Sequence, residues 1–242
     1  MLVARLLGVA LVLGSGCARG PLLDRAIAAR GGALDGLVRQ VAAEVREGFP
    51  GAWRWRTVFQ VPDRYCWSIE TTRDPTHYCF DGTVVRAFTG AELISTDASP
   101  SAPLRSHALF MAVVNLDALR APGVVVTPLP AAELPPGATE GLAAVLPGEP
   151  SRYRLAFDAD GLLVWAAGTV DLDPFGRGDL QARFSDFRAE HGVVLPHRTE
   201  WLLGTETFAD ERLLAACPDP TLAADAFRDP TKLPACPVPD AR

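Results

Sequence analysis

The side chains able to do chemistry are few, and their spacing does not assemble a catalytic site. The four histidines are His77, His107, His191 and His197, and no HExxH, GxSxG, P-loop or GxGxxG pattern accompanies them. Ser106 and His107 adjoin in the chain, but successive residues on a helix do not face each other, so His107 reads as helix surface. His191 stands in a turn beside Gly192, His197 follows Pro196 at the start of a strand, and His77 shares a strand face with Cys79. Asp158, Asp160, Asp171 and Asp173 are the candidates for calcium. Asp158-Ala159-Asp160-Gly161 lacks the further ligands and terminal Glu of a calcium loop, and reads as a hairpin turn. Arg54 and Arg56 alternate with Trp53 and Trp55; they form either a solvated strand face or a surface for lipid head groups or a partner. The expectation is a protein that is not an enzyme and needs no metal or cofactor.

Composition sets the wider bounds. The 242 residues make one large domain or two small ones. An apolar fraction of 48% supports a sizeable core, while 21 glycines and 21 prolines are too much punctuation for a helical bundle. A net charge of -6 argues against a nucleic-acid partner, which requires a basic face. Lys232 is the one lysine, which reflects overall residue usage and marks no site.

The first residues read as an address. A short basic start is followed by an eight-residue apolar run at 6–13, too short for a permanent span. Gly14-Ser15-Gly16-Cys17 comes next. Apolar run, small residues and Cys together resemble a bacterial lipobox, with Gly14 where that motif prefers Leu. The resemblance implies a signal peptide at 1–16, acylation of Cys17, and, with Ala18 following, an outer-membrane lipoprotein facing the periplasm. The alternative is cleavage after Ala18, giving a soluble periplasmic protein.

Export makes the other cysteines readable, since thiols outside the cytosol are normally oxidised. Residues 64–71 and 77–80 are rich in β-formers around the turn Arg73-Asp74-Pro75. A hairpin centred between Thr72 and Arg73 sets Cys66 against Cys79, Tyr65 against Phe80 and Trp67 against Tyr78, with the rings on one face and the sulfurs on the other. Cys217 and Cys236 would then staple the Pro-rich tail, 217–242, back on itself. Metal binding is the competing use of four cysteines, but the spacings are not CxxC-like and no His clusters with them.

The elements that must position these residues follow from periodicity. Residues 22–49 carry apolar positions at three- and four-residue steps, interrupted by Gly31-Gly32, which predicts two short helices or one kinked helix. From Gly51 the period changes to two: Trp53, Trp55, Thr57 and Phe59 lie on one strand face, then Tyr65, Trp67 and Ile69, then Tyr78 and Phe80. Asp81-Gly82 turns the chain into a further strand at 84–88, with another at 93–95. Residues 104–119 read as an apolar helix with Leu109, Val113 and Leu116 in register and Phe110 beside them. Strands resume at 124–127, 141–146, 151–157, 162–172, 177–188, 195–204 and 205–214, and a short helix is expected at 221–227. This is an α+β chain with antiparallel sheet in one domain over 22–216, after a tether at 17–21.

The order of these features resembles the periplasmic lipoprotein-localisation factors and their lipoprotein relatives, the LolA/LolB-like family. The strings that carry the likeness are AARGG at 28–32, FQVPDRYCWSIET at 59–71, FDG at 80–82, FSDFRAEHGVVLPHR at 184–198 and DAFRDP at 225–230. It spans nearly the whole mature chain through short motifs in a fixed order. The resemblance implies a single curved antiparallel sheet, an incomplete barrel, with helices covering its open concave side over an apolar cavity. That cavity would take a lipid acyl chain or a lipidated protein, lined by Trp53, Trp55, Phe59, Tyr65, Trp67, Tyr78, Phe80, Leu109, Phe110 and Val113. The same rings would equally fill a solid core, which fits a sensor or scaffold protein of the envelope. Since the soluble carriers lack a lipidation cysteine, an anchored receiver fits this chain better than a shuttle.

Overall fold

A computed structural model describes residues 21–46, 50–70, 73–99, 103–172 and 176–238. The segment 1–16, Cys17 and all of the tether before Pro21 lie outside the described residues. The chain enters through helix α1 (Pro21–Ala29), which buries Leu23, Ala26 and Ile27. Arg30-Gly31-Gly32 ends it, with the Gly32 N–H returning to the Ile27 carbonyl at 2.9 Å. Gly31 has φ 107°, and a Cβ there would lie 2.4 Å from the Gly192 carbonyl oxygen. Only glycine permits that crossing, which gives the AARGG string a backbone reason.

Among the described residues, thirteen strands form one antiparallel sheet. The first six are β1 (Gly36–Val45), β2 (Gly51–Gln60), β3 (Arg64–Ile69), β4 (Thr76–Phe80), β5 (Val85–Thr89) and β6 (Glu92–Asp97). After helix α2 (Pro103–Val114) and a 3-10 turn at Asp117–Arg120 come β7 (Val125–Pro128), β8 (Glu140–Val145), β9 (Arg152–Phe157) and β10 (Leu163–Leu172). The last three are β11 (Gly176–Glu190), β12 (Val193–Leu203) and β13 (Glu206–Pro218). Each meander is built of sequential neighbours, and the two are joined where β1 pairs with β13. The sheet is not closed: β6 and β7 are its free edges, and α2 runs between them in the chain. β6 is exposed along its length, including Leu93 and Ile94.

The helical expectation for 22–49 holds for α1 and fails for β1. Leu37, Val41 and Ala43 pack on the face shared with Trp55, whereas Val38 packs on the opposite face with Val58 and Cys66. A strand covered on both faces does not alternate. Its apolar residues at 37, 38 and 41 therefore mimic a helical stripe, and a register shift between Gln40 and Val41 deepens the mimicry.

Helix α2 packs against β3, β4, β9 and β10, and the sheet face it meets is called the inner face below. The main core forms there. Leu109, Phe110 and Val113 of α2 join Phe59, Tyr65 and Phe80 from one meander and Tyr153, Leu155 and Phe157 from the other. Burying a side chain such as Phe110, 1% exposed, contributes about 1.5–3 kcal/mol.

The outer face of β1–β5 is covered by the chain's end. The hairpin register pairs Cys66 with Cys79, Tyr65 with Phe80 and Trp67 with Tyr78, and disulfides join Cys66 to Cys79 and Cys217 to Cys236. Ala226, Phe227, Leu233 and Cys236 of the tail pack onto Val38, Val58, Phe88 and the first disulfide. The expected helix at 221–227 is instead a series of turns, such as Ala226 N–H to the Ala223 carbonyl and Arg228 N–H to the Asp225 carbonyl, with a 3-10 turn at Pro230–Lys232. Phe227 is held as a single anchor, and Pro230 and Pro234 leave no length for a helix. Arg56, a candidate for a solvated face, lies beneath this tail: its Nη1 donates to the Pro234 carbonyl at 3.2 Å and its Nε sits 3.2 Å from Glu70.

One buried ion pair ties α1 to the segment after α2. Arg30 Nη2 donates to Asp117 Oδ2 at 2.6 Å, and Arg30 Nη1 to the Asn115 carbonyl at 2.6 Å. The same Asp117 oxygen accepts the Leu34 N–H at 3.1 Å. Replacing Asp117 with Ala leaves a buried guanidinium without its counter-charge and the Leu34 amide without an acceptor. The expected cost is about 3–5 kcal/mol, read as a lowered midpoint in urea or thermal unfolding; an unchanged midpoint would contradict this account of the joint.

Candidate functional site on the inner face of the sheet

Register places the seven predicted rings together. On β2 the odd residues face inward, Phe59 opposes Tyr65, and Tyr65 opposes Phe80. Thr57 opposes Trp67, which opposes Tyr78. Trp53, Trp55, Phe59, Tyr65, Trp67, Tyr78 and Phe80 therefore share one face, as the alternation requires. Phe59, Tyr65 and Phe80 lie in the core beneath α2, with Leu109, Phe110 and Val113. Trp55 belongs to an adjoining apolar cluster with Leu37, Val41 and Leu213, and Trp53 packs at its margin. Trp67 touches both clusters, edge-on to Trp55 and stacked on Tyr78 at 5.8 Å.

The space left is small. A cavity of about 70 Å³ lies between the ends of α1 and α2 and the sheet, with Leu37, Arg39, Met111, Phe184 and Leu195 among its walls. That is well under the roughly 300–1,000 Å³ of ordinary ligand pockets. A shallower groove of about 290 Å³ runs between the start of α1 and β8, past Leu22, Leu129, Leu134 and Gly141. None of the ten predicted lining residues borders either space; they are packed against one another.

His107 departs from its reading as helix surface. Its ring is half-buried and makes edge-on contacts with Tyr65 at 5.4 Å and with Trp67 and Trp201 at 6.3 Å each. The turn of α2 that carries Phe110 against Trp201 at 6.1 Å also turns His107 toward the sheet. Burial among these rings disfavours the imidazolium and lowers the His107 pKa to about 4.

Sequence reasoning missed the polar groups on this face. Thr57 of β2, Arg39 of β1, Glu211 of β13 and Thr199 of β12 form a polar diagonal across the sheet, with Arg39 opposing Thr57 and Glu211 opposing Thr199. Glu211 is 6% exposed and Thr199 1%. Arg39 Nη2 lies 3.5 Å from Glu211 Oε2, and the Trp55 indole N–H donates to Glu211 Oε1 at 3.1 Å. The Trp201 indole N–H points toward the same carboxyl but falls short of hydrogen-bonding geometry, and Thr199 Oγ1 and Glu211 Oε2 likewise have no hydrogen-bond partner. Burial pushes the Glu211 carboxyl above the usual range, against the pull of Arg39 and the two indoles. An Arg beside Gln40 and a Glu between Asp210 and Arg212, 172 residues apart, give no local signal; the parity of Arg39 with Leu37 and Val41 was the one clue, hidden by the helical reading of β1.

On the outer face, Ser68 Oγ lies 2.7 Å from His77 Nδ1. Both are buried, at 0% and 5% exposure, so this pair is sealed from substrates. His191 sits in a turn with φ 51°, and His197 lies 3.1 Å from Glu190. Asp158 Oδ1 accepts the N–H groups of Asp160 and Leu162, making the expected hairpin turn. Among the described residues no three His, Cys, Asp or Glu side chains gather as a metal site, and no helix is long and apolar enough to cross a membrane.

The depressed pKa of His107 has a measurable consequence. Its neutral form is favoured by folding, so the associated stability is complete above about pH 6.5 and is lost as pH falls toward about 4. His107→Gln is expected to flatten the loss of stability in that window, measured by urea unfolding at several pH values; parallel wild-type and variant curves would contradict it.

Solved structures share this arrangement of strands. A LolA superfamily protein from Nitrosomonas europaea superimposes with a TM-score of 0.55 at 11% identity, covering 85% of this chain and 95% of its own. A domain described as an outer membrane lipoprotein-sorting protein, from Vibrio parahaemolyticus, gives 0.53 at 10% identity, over 85% and 95%. A DUF1329 family protein from Desulfovibrio piger gives 0.55 at 12%, over 88% and 98%. The chain matches no protein-family model and no curated protein sequence. The fold is LolA-like, and at these identities the likeness speaks to fold alone.

Proposed function

We propose that this protein is an envelope lipoprotein that holds an acyl chain, of a lipid or a lipidated protein, between α2 and the inner face of its open sheet. The observation that carries this reading is the core beneath α2. It is lined by Phe59, Tyr65, Phe80, Phe110 and Tyr153 and lies in a sheet left unclosed between β6 and β7. A helix that covers such an opening, with the Ser106 hydroxyl accepting the Asp171 N–H of β10 at 3.1 Å, can lift once that bond opens, exchanging its own apolar contacts for those of a guest. Each methylene of the guest regains about 0.8 kcal/mol. Acylation at Cys17 would tether the domain to the outer membrane on its periplasmic side, and the two disulfides suit an oxidising compartment. The reading involves no catalytic step.

The 70 Å³ cavity favours a second reading, in which the core is permanently filled and the protein is an envelope sensor or scaffold. Mass spectrometry of the protein purified from membranes separates the two. The first reading expects added masses of acyl lipids under native conditions and strong binding of a hydrophobic dye. A bare polypeptide mass beyond any Cys17 modification, with no dye binding, supports the second.

The anchor is tested separately. Cys17→Ser should move the protein from the membrane to the soluble periplasmic fraction; unchanged membrane retention would remove the anchor from the proposal.

A further inference from the structure

The two disulfides of this protein stand in opposite settings. Cys66 and Cys79 are each 0% exposed, in a cluster roofed by Leu222, Ala226, Phe227, Leu233 and Cys236 of the tail. Cys217 is half-buried, and Cys236, itself buried, lies between exposed Ala235 and Pro237. The Cys66–Cys79 bond joins strands that are also paired residue by residue from Tyr65 to Ile69, so it is one tie among several. The Cys217–Cys236 bond joins β13 to a segment outside the sheet. Among the described residues, the tail's backbone bonds to the sheet end with the Asp219 N–H at the Gly36 carbonyl, and those from Ala226 to Leu233 close turns within the tail. Side chains supply the other ties: Arg228 Nε lies 2.8 Å from Asp81 Oδ2, and Arg56 Nη1 donates to the Pro234 carbonyl at 3.2 Å.

From this contrast we infer that Cys217–Cys236 is a redox-reactive clasp: a dithiol reductant opens it first, the tail lifts from the outer face, and only then does Cys66–Cys79 become reducible. The inference stands apart from acyl binding. Access decides the order, because exchange requires a thiolate to reach a disulfide sulfur. A thiolate of the reductant attacks Cys217 Sγ, and Cys236 leaves as the thiolate. The reductant's second thiol gives up its proton and displaces Cys217 in turn. Two electrons have then passed to the protein, both cysteines have taken up protons, and the reductant departs carrying its own disulfide. Once the clasp is cut, the detached tail recovers the chain freedom that closing a 19-residue separation withheld. Phe227 and Leu233 are left to hold the segment against that gain. Lifting it bares Val38, Val58, Phe88 and the Cys66–Cys79 bond, while α2 keeps its contacts on the inner face.

Timed exposure of the purified full chain to dithiothreitol tests this, with free thiols alkylated by iodoacetamide and located by peptide mass spectrometry. Alkylation at Cys217 and Cys236 is expected at least about tenfold faster than at Cys66 and Cys79. In Cys217→Ser/Cys236→Ser, where nothing clasps the tail, reduction of Cys66–Cys79 should speed up by about tenfold or more. If that variant does not fold, the wild-type intermediate alkylated at Cys217 and Cys236 takes its place. Its amide hydrogen exchange should rise in the tail while α2 stays protected. Loss of both bonds together, earlier loss of Cys66–Cys79, or resistance of both until the whole chain unfolds would overturn the clasp. So would a Cys66–Cys79 rate that the serine substitutions leave unchanged, or exchange in the intermediate that rises as much in α2 as in the tail.

Discussion

The pairing of β1 with β13 is the constraint on which the rest depends. It joins residues 37–45 to residues 209–218, uniting two meanders that would otherwise be separate open sheets, each with a long unpaired edge. The polar contacts at the middle of the sheet are built across it. Arg39 meets Glu211 because these strands adjoin, and Trp55 reaches Glu211 across β1. The tail that follows β13 is delivered to the back of β1–β5 for the same reason. The pairing is also among the most non-local in the chain, so the loop entropy of closing it must be offset by both meanders and by the cores on its two sides.

Those two cores have different characters. The inner one is broad and aromatic and takes its cover from a helix; the outer one is compact and takes its cover from a coil of turns bound by a disulfide. Asp81 is a hinge point between coil and sheet. Despite the burial that would raise its pKa, hydrogen bonds from Thr83, the Val84 N–H, Arg86 and Arg228 hold its carboxyl well below the usual range. The FDG string at 80–82 thus has a physical task, since its carboxylate closes the turn into β5 and grips Arg228 of the tail.

Local chemistry made much of this legible in the chain. The β3–β4 register followed from demanding that Cys66 meet Cys79 while Tyr65, Trp67, Tyr78 and Phe80 stay on one face, and the strand sequence of the second meander followed from turn residues at regular spacing. What escaped was whatever depends on distant segments. β1 read as helix because Val38 is buried by a tail nearly two hundred residues away. Arg56 read as a solvated face or a surface for head groups or a partner for the same cause, and His107 read as exposed because nothing near it in sequence announces the three rings of β3 and β12 that enclose it. The Arg39–Glu211 corner is the extreme case: two charged residues, unremarkable where they stand, whose meaning exists only once β1 and β13 are neighbours.

An open sheet also has to survive its own edges. β6 presents unsatisfied backbone groups on one side and carries exposed Leu93 and Ile94, an invitation to a second strand. Its ends answer that risk. If two copies paired antiparallel about the middle of Glu92–Asp97, Glu92 of each would lie opposite Asp97 of the other, placing two like-charged couples directly across the ladder, an arrangement that destabilises strand pairs. The spacing of these acids thus sets the rim against its own kind.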